Sequence, residues 1–246
     1  PNFVMKIDLV IFDKDGTLID IHCYWGGMVK LRSEALSKKY IKPQFRTKVT
    51  NELMFNMGIN LETGKIKPKG PVGINPREVV IDAAYQTVKK YCCTITLDQV
   101  SSVFNEIDEY SKKHLDQLVV PLPGVKELLT ELRLKKIKMA IATTDLTNRA
   151  KLAVKSIGID KYFDRIVGAD LVDKTKPSPD LVDYICRSLS VNKANTVVVG
   201  DSIVDLKMSE AANVRFVGVK TGLYSPKFIK GSEVLINNLE DMSIIL

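Results

Sequence analysis

Five short apolar runs recur along the chain: IDLVIF (7–12), IKMAIA (137–142), FDRIV (163–167), TVVV (196–199) and VRFVGV (214–219). Several lack the polar alternation of a strand with one wet face, so both faces must be covered. Stretches with apolar residues three and four apart lie among the later runs: GVKELLTELRLKK (124–136), TNRAKLAVKSIG (147–158), SPDLVDYICRSLS (178–190) and SIVDLKMSEAA (202–212). In 147–158, Ala150, Ala153, Val154 and Ile157 fall on one side. Strand and helix in alternation predict an α/β unit, a Rossmann-like parallel sheet covered by helices.

Residues 21 to about 117 break this rhythm. They carry few strand signals and read as helices over 28–40, 76–91 and 97–115, with a weaker one over 48–58. Thr96 is a plausible cap for the helix that begins at Leu97, with Asp98 and Gln99 in its first turn. LETGKIKPKGPVGINP (61–76) reads as a long turn-forming connection, and VVPLPG (119–124) marks the return to the sheet pattern. The expected division is a sheet unit of 1–20 and 119–246 with an inserted, mainly helical unit of 21–118. The insertion leaves and returns near the end of the first strand. Ligands in open α/β sheets bind beyond the carboxyl ends of strands, so the insertion is expected to cover the site.

A chain of 246 residues with 45% hydrophobic content can bury its core without disulfides. Its four cysteines, Cys23, Cys92, Cys93 and Cys186, show no C-x-x-C spacing, which suits a reducing compartment. No apolar run approaches the ~18 residues of a membrane span, and the N-terminus lacks the pattern of a secretory leader. A cytoplasmic protein with no membrane partner is expected. The net charge of +7 is spread through the chain without a dense basic block interleaved with aromatics, which argues against nucleic acid. A mild positive field suits a small anionic substrate instead. No feature assigns an oligomeric state.

Chemistry gathers where the apolar runs end. Asp13 and Asp15 follow the first, Thr143 and Thr144 the second, DKTKPSPD (173–180) the third, and GDSIVD, with Asp201 and Asp205, the fourth. In a parallel sheet these ends share one edge. Four carboxylates that meet there would repel one another unless a cation neutralised them. Magnesium suits hard oxygen ligands, and the lack of a neighbouring Cys/His set argues against zinc. A calcium loop of the EF-hand type is excluded by the preceding strand and by Gly16 falling too early. A carboxylate can attack phosphorus, and a second one two residues on can serve as acid and base. The three charged oxygens of a transferred phosphoryl group would need the metal, a lysine and backbone N–H groups, among them that of Thr17.

These motifs resemble those of the haloacid dehalogenase-like superfamily. LVIFDKDGT (9–17) matches its first motif, MAIAT ending at Thr143 its second, KPSP with Lys176 its third, and GDSIVD (200–205) its fourth. The likeness covers 3–20 and 119–225 well, and the closest look-alikes are phosphoglycolate-type phosphatases. It implies that Asp13 is the nucleophile and a metal ligand. Asp15 is then the general acid and base, with its backbone carbonyl on the metal. Thr143, Thr144 and Lys176 bind the phosphoryl group, Asp201 holds Mg2+, and Asp205 completes or orients that shell. Thr144 stands where many relatives have Asn or Ser. The dehalogenase branch lacks the second aspartate and the phosphonatase branch has alanine there, so Asp15 points to a phosphatase acting on a small phosphorylated metabolite. A sugar-phosphate mutase, which keeps both aspartates, and a non-catalytic binding protein are the alternatives. The insertion resembles a helical cap of the family's first type only in position and character. Its candidates for substrate specificity are His22, Trp25 and Arg32, in or beside the HCYWGG stretch (22–27).

Overall fold

The structure is a computed structural model and describes residues 6–73, 75–223 and 234–244. The chain divides into two compact units, Pro1–Ile21 with Val119–Leu246, and His22–Leu118.

The second unit is helical: α1 (Ile21–Tyr40), α2 (Arg46–Met57), α3 (Arg77–Lys89), α4 (Leu97–Lys113) and the single turn α5 (Leu115–Leu118). Thr96 caps α4 through a reciprocal box: its hydroxyl accepts from Gln99 N–H at 3.2 Å, and the Gln99 side chain accepts from Thr96 N–H at 3.0 Å. Gly58, at φ 114°, ends α2 in the left-handed conformation. One expectation fails here. The first helix begins at Ile21 rather than 28, so HCYWGG is part of it. Its two glycines weaken a helix. Gly27 lies close to the end of the unit: a Cβ there would lie 2.6 Å from Leu118 Cδ2, the tip of a flexible side chain.

The first unit holds a six-stranded sheet of β1 (Leu9–Phe12), β2 (Lys138–Ala142), β3 (Arg165–Val167), β4 (Thr196–Gly200), β5 (Arg215–Val219) and β6 (Val234–Ile236). Its order is β3-β2-β1-β4-β5-β6, and every pairing is parallel. β6 escaped the sequence reading, because three residues are too few to show a period. β1 and β4 are buried throughout, as their unbroken apolar character requires. Leu9 and Ile11 face a core shared with α8 (Asp180–Leu189) and α9 (Ile203–Ala212), through Leu181, Ile185, Leu206 and Met208. On alternate positions Phe12 meets Phe163 edge to face at 6.3 Å. Helices α6 (Val125–Leu134) and α7 (Thr147–Ser156) complete the cover, α6 packing on a 3₁₀ turn at Leu239–Ile244.

This order places the site. From β1 the chain steps to β2 and β3 on one side, then crosses to β4 and β5 on the other. β1 and β4 therefore flank a switch point, where the loops part and leave a crevice. Phe12 is level with Ile141 and Val199. Asp13, Thr143 and Asp201 thus leave the sheet within a residue of one another, although about 190 residues separate the first from the last.

Candidate active site

Beyond β1 the backbone turns sharply. Asp13 N–H still donates to Val199 O at 2.8 Å, and Leu18 and Ile19 both return N–H groups to Lys14 O at 3.0 Å. Gly16 sits in this turn at φ +88°, a conformation that strains any residue with a Cβ. Such an atom would also strike Asp201 Oδ2 at 2.7 Å. From the other side Gly222 leaves still less space, 1.6 Å to the same oxygen. Two glycines thus let backbone close around one carboxylate. Thr221 ties this second loop to the first, its hydroxyl donating to Gly16 O at 2.6 Å.

One oxygen from each of Asp13, Asp201 and Asp205 falls within a 4.8 Å cluster. The Lys176 ammonium holds two of these acids, 2.5 Å from Asp13 Oδ1 and 2.6 Å from Asp205 Oδ1. The other oxygen of Asp205 accepts from Ser202 N–H at 3.1 Å and Ser202 Oγ at 2.5 Å. Both oxygens of Asp205 are therefore engaged by the protein. Asp201 accepts a long hydrogen bond from Thr17 Oγ1 at 3.3 Å and is buried.

One ammonium among three carboxylates leaves excess negative charge in a buried place. Burial pushes the Asp13 carboxyl up to about 6, against the pull of Lys176 and with a further push from Asp205. Burial also lifts Asp201 well above the ordinary carboxylate range, reinforced by Asp13 and Asp205. On Lys176, burial favours loss of the proton, but Asp13 and Asp205 overcome it and raise its affinity for the proton. The cluster is short of positive charge, offers hard oxygens and has no histidine or cysteine in it. A divalent cation such as magnesium fits this donor set.

The remaining residues expected at the site separate by placement. Thr143 is buried at the end of β2, its Oγ1 accepting from Asp145 N–H at 3.1 Å, while Thr144 is exposed. Lys174 is exposed, whereas Lys176 is buried among the acids, so the geometry separates two lysines that lie close together in sequence. The Asp15 side chain stands outside the three-acid cluster, with both oxygens on the Lys14 ammonium, at 2.8 and 2.7 Å. Lys14, Asp145, Ser202, Thr221 and Gly222 were not singled out from the sequence. Lys14 and Asp145 could have been, since each lies within two residues of a motif residue. Gly222 carries no such mark, because only its close approach to Asp201 matters.

In the helical unit, Arg32 is buried, donates to Asp108 Oδ1 at 2.7 Å and stacks over the Phe104 ring at 4.5 Å. Arg77 shares the same carboxylate at 2.5 Å. Arg32 is thus held within its own unit by Asp108 and Phe104. His22 Nδ1 accepts from Ile66 N–H at 3.2 Å, and Trp25 meets Tyr24 edge to face at 5.1 Å.

Known proteins resemble this chain in sequence and architecture. The chain is 26% identical to the pyrophosphatase PpaX of Halalkalibacterium halodurans over 226 residues, covering 92% of this chain and 89% of that protein. A solved haloacid dehalogenase-superfamily hydrolase of subfamily IA from Geobacter sulfurreducens superposes with a TM-score of 0.69 at 17% identity, over 98% of this chain and 96% of that one. A β-phosphoglucomutase from Clostridium difficile shares the fold with a TM-score of 0.57 at 19% identity, over 96% and 93% of the two chains. Residues 72–219, more than half of the chain, match the model of the haloacid dehalogenase-like hydrolases. The chain belongs to the haloacid dehalogenase-like hydrolase family.

Proposed function

We propose that the protein is a magnesium-dependent phosphatase that hydrolyses a small-molecule phosphate monoester through a phospho-aspartate on Asp13. One observation carries the reading: Asp13, Asp201 and Asp205 converge within 4.8 Å, with the Lys176 ammonium on Asp13 and Asp205, beyond the strand ends at the switch point. Such a cluster is costly unless it meets a ligand that offsets its charge. Family membership and the likeness to PpaX support phosphate transfer to water over other uses of the site.

Asp13 is then the nucleophile. One of its oxygens attacks phosphorus as the bond to the leaving oxygen breaks, and Asp15 gives that oxygen a proton. Water attacks the phosphorus next, Asp15 takes its proton, and the bond from Asp13 to phosphorus breaks to release phosphate. Lys176 and Thr143, with Thr144 at the exposed end of the same loop, are assigned to the phosphoryl oxygens. Magnesium, held by Asp13, Asp201 and the Asp15 backbone carbonyl, would offset the charge that the reacting group carries. Asp205 would keep Lys176 in place.

Leaving-group recognition is assigned to the helical unit, with His22 and Trp25 as its candidates, because α1 begins only a few residues beyond the Asp15 turn. Trp25→Ala should then lower kcat/KM for the best substrate more than for a small aryl phosphate. Equal losses on both, with a lower melting temperature, would leave Trp25 with packing alone.

The test of the whole reading is phosphate release from a broad panel of phosphate esters and pyrophosphate, with magnesium and with EDTA. Magnesium-dependent release, abolished by EDTA, is expected. Folded protein that releases phosphate from no member would overturn the reading. Interconversion of one sugar phosphate with little release would point to a mutase instead.

A further inference from the structure

Lys14 stands between the two aspartates of the first motif and is almost wholly buried, with 5% of its surface exposed. A lysine is rarely buried without a specific partner, since its ammonium loses its hydration there. Its Nζ lies astride Asp15, at 2.8 Å from Oδ1 and 2.7 Å from Oδ2. A third oxygen, Asp145 Oδ2, lies 3.5 Å away. Asp145 belongs to the loop after β2. Its N–H donates to Thr143 Oγ1 at 3.1 Å, and Arg149 Nε approaches its Oδ1 at 3.4 Å. A line of alternating charge, Asp15–Lys14–Asp145–Arg149, therefore joins the loop of the first motif to the loop that carries Thr143.

Packing alone does not account for this contact. The Asp15 side chain is 34% exposed, so water can solvate its carboxylate without help from a lysine. Burying an ammonium against a carboxylate that water could serve costs desolvation and adds little stability. What the contact does supply is direction. An ammonium that spans both oxygens and is itself held by a second carboxylate stops the Asp15 side chain from rotating freely.

We propose that Lys14 is a positioning residue for proton transfer, fixing the orientation of Asp15, with Asp145 holding Lys14 in turn. The inference rests on the phosphatase reading, in which Asp15 gives a proton to the leaving oxygen and regains one from water. When that proton sits on one oxygen of Asp15, the other still accepts from Lys14, so the contact can persist through the cycle. A proton carrier that wanders from its geometry loses rate in proportion to how much the reaction needs the proton.

That dependence gives the test. In magnesium, kcat and KM are measured for 4-nitrophenyl phosphate, whose leaving group needs little protonation, and for glycerol phosphate, whose alkoxide needs it. Lys14→Met should lower kcat on glycerol phosphate by about 10- to 100-fold and on the aryl ester by only a few-fold, with little change in KM. Lys14→Arg should restore part of the loss. Asp145→Asn should shift the ratio of the two rates in the same direction by less, and it carries the test if Lys14→Met does not fold. In an Asp15→Asn background, Lys14→Met should have no further effect on the aryl ester, since Lys14 acts through Asp15. The ratio cancels any loss of folded protein. Equal losses on both esters, or an undiminished effect in the Asp15→Asn background, would overturn the inference and leave the phosphatase reading intact. Wild-type protein that hydrolyses neither ester nor any other member of the panel would overturn both.

Discussion

Strand β1 has an aspartate just beyond each end, and the two live differently. Asp8 precedes it. Its carboxylate accepts from Asn195 Nδ2 at 2.8 Å, pairs with Lys6 at 3.1 Å and is partly open to water. The Asn195 bond, followed by that to Lys6, holds its carboxyl below the usual range. Asp13 follows the strand. It is half-buried beside two buried acids, and the loss of water around it lifts its carboxyl to about 6 even with Lys176 alongside. The same residue type on the same strand is settled at one end and short of compensation at the other. A parallel sheet creates this asymmetry, because all its carboxyl ends open onto one edge and bring several acids there together. Unmet charge thus marks the functional edge, and satisfied charge the structural one.

Replacing the two acids breaks or sharpens that contrast. Asp13→Asn should reduce phosphate release by roughly 10⁴-fold or more, as expected for a lost nucleophile. Asp8→Asn should leave kcat/KM within about two-fold and lower the melting temperature slightly, since substitutions of partly exposed groups are mild. A large loss of turnover in Asp8→Asn, in folded protein, would erase the distinction between the edges.

In the proposed mechanism, Asp15→Asn removes the proton carrier but keeps the nucleophile. Turnover should fall by roughly 10²-fold or more, less than for Asp13→Asn, and the deficit should be smallest for the best leaving group. Steady-state kinetics on aryl phosphates of graded leaving-group pKa would check this.

The smallest effect is on stability. The folded-state carboxyl of Asp201 is raised above its unfolded value. Between those two values the folded protein binds the proton more tightly, so its stability falls as pH rises through that window. Above the folded value the group is charged in both states and its cost is complete. Asp201→Asn in EDTA should therefore melt higher than wild type at pH 8. The gain should shrink as the pH falls through the raised value and vanish near 3.8, the ordinary value. Added magnesium should reverse the order by stabilising wild type more. Thermal melts across pH, with EDTA and with magnesium, would show this. A variant that melts lower in EDTA at pH 8 would contradict the claim of unmet charge.

Much of this edge was legible in the sequence. Each of the first four apolar runs ends in, or soon before, a chemically distinct motif, and parallel pairing forces those ends together. The identity of Lys176 followed from its Pro-rich context, and burial among the acids separates it from Lys174. What could not be read depends on close approach in three dimensions. Gly222 matters because backbone must pass against Asp201. Arg32 looked available for substrate until Asp108 and Phe104, more than 70 residues away, proved to hold it. HCYWGG lay outside the helix read over 28–40, yet it forms the start of that helix. Periodicity reports which face is buried, not which neighbour buries it.

The central claim is that Asp13, the unsettled acid of β1, carries the phosphoryl group. The most direct measurement is to quench the enzyme in acid during turnover with magnesium, reduce the acyl phosphate with borohydride and map the peptides by mass spectrometry. Reduction converts a phosphorylated aspartate to homoserine, and that residue is expected at position 13, only when substrate is present. Homoserine at another position, or none in protein that is demonstrably turning over and quenched at saturating substrate, would contradict it.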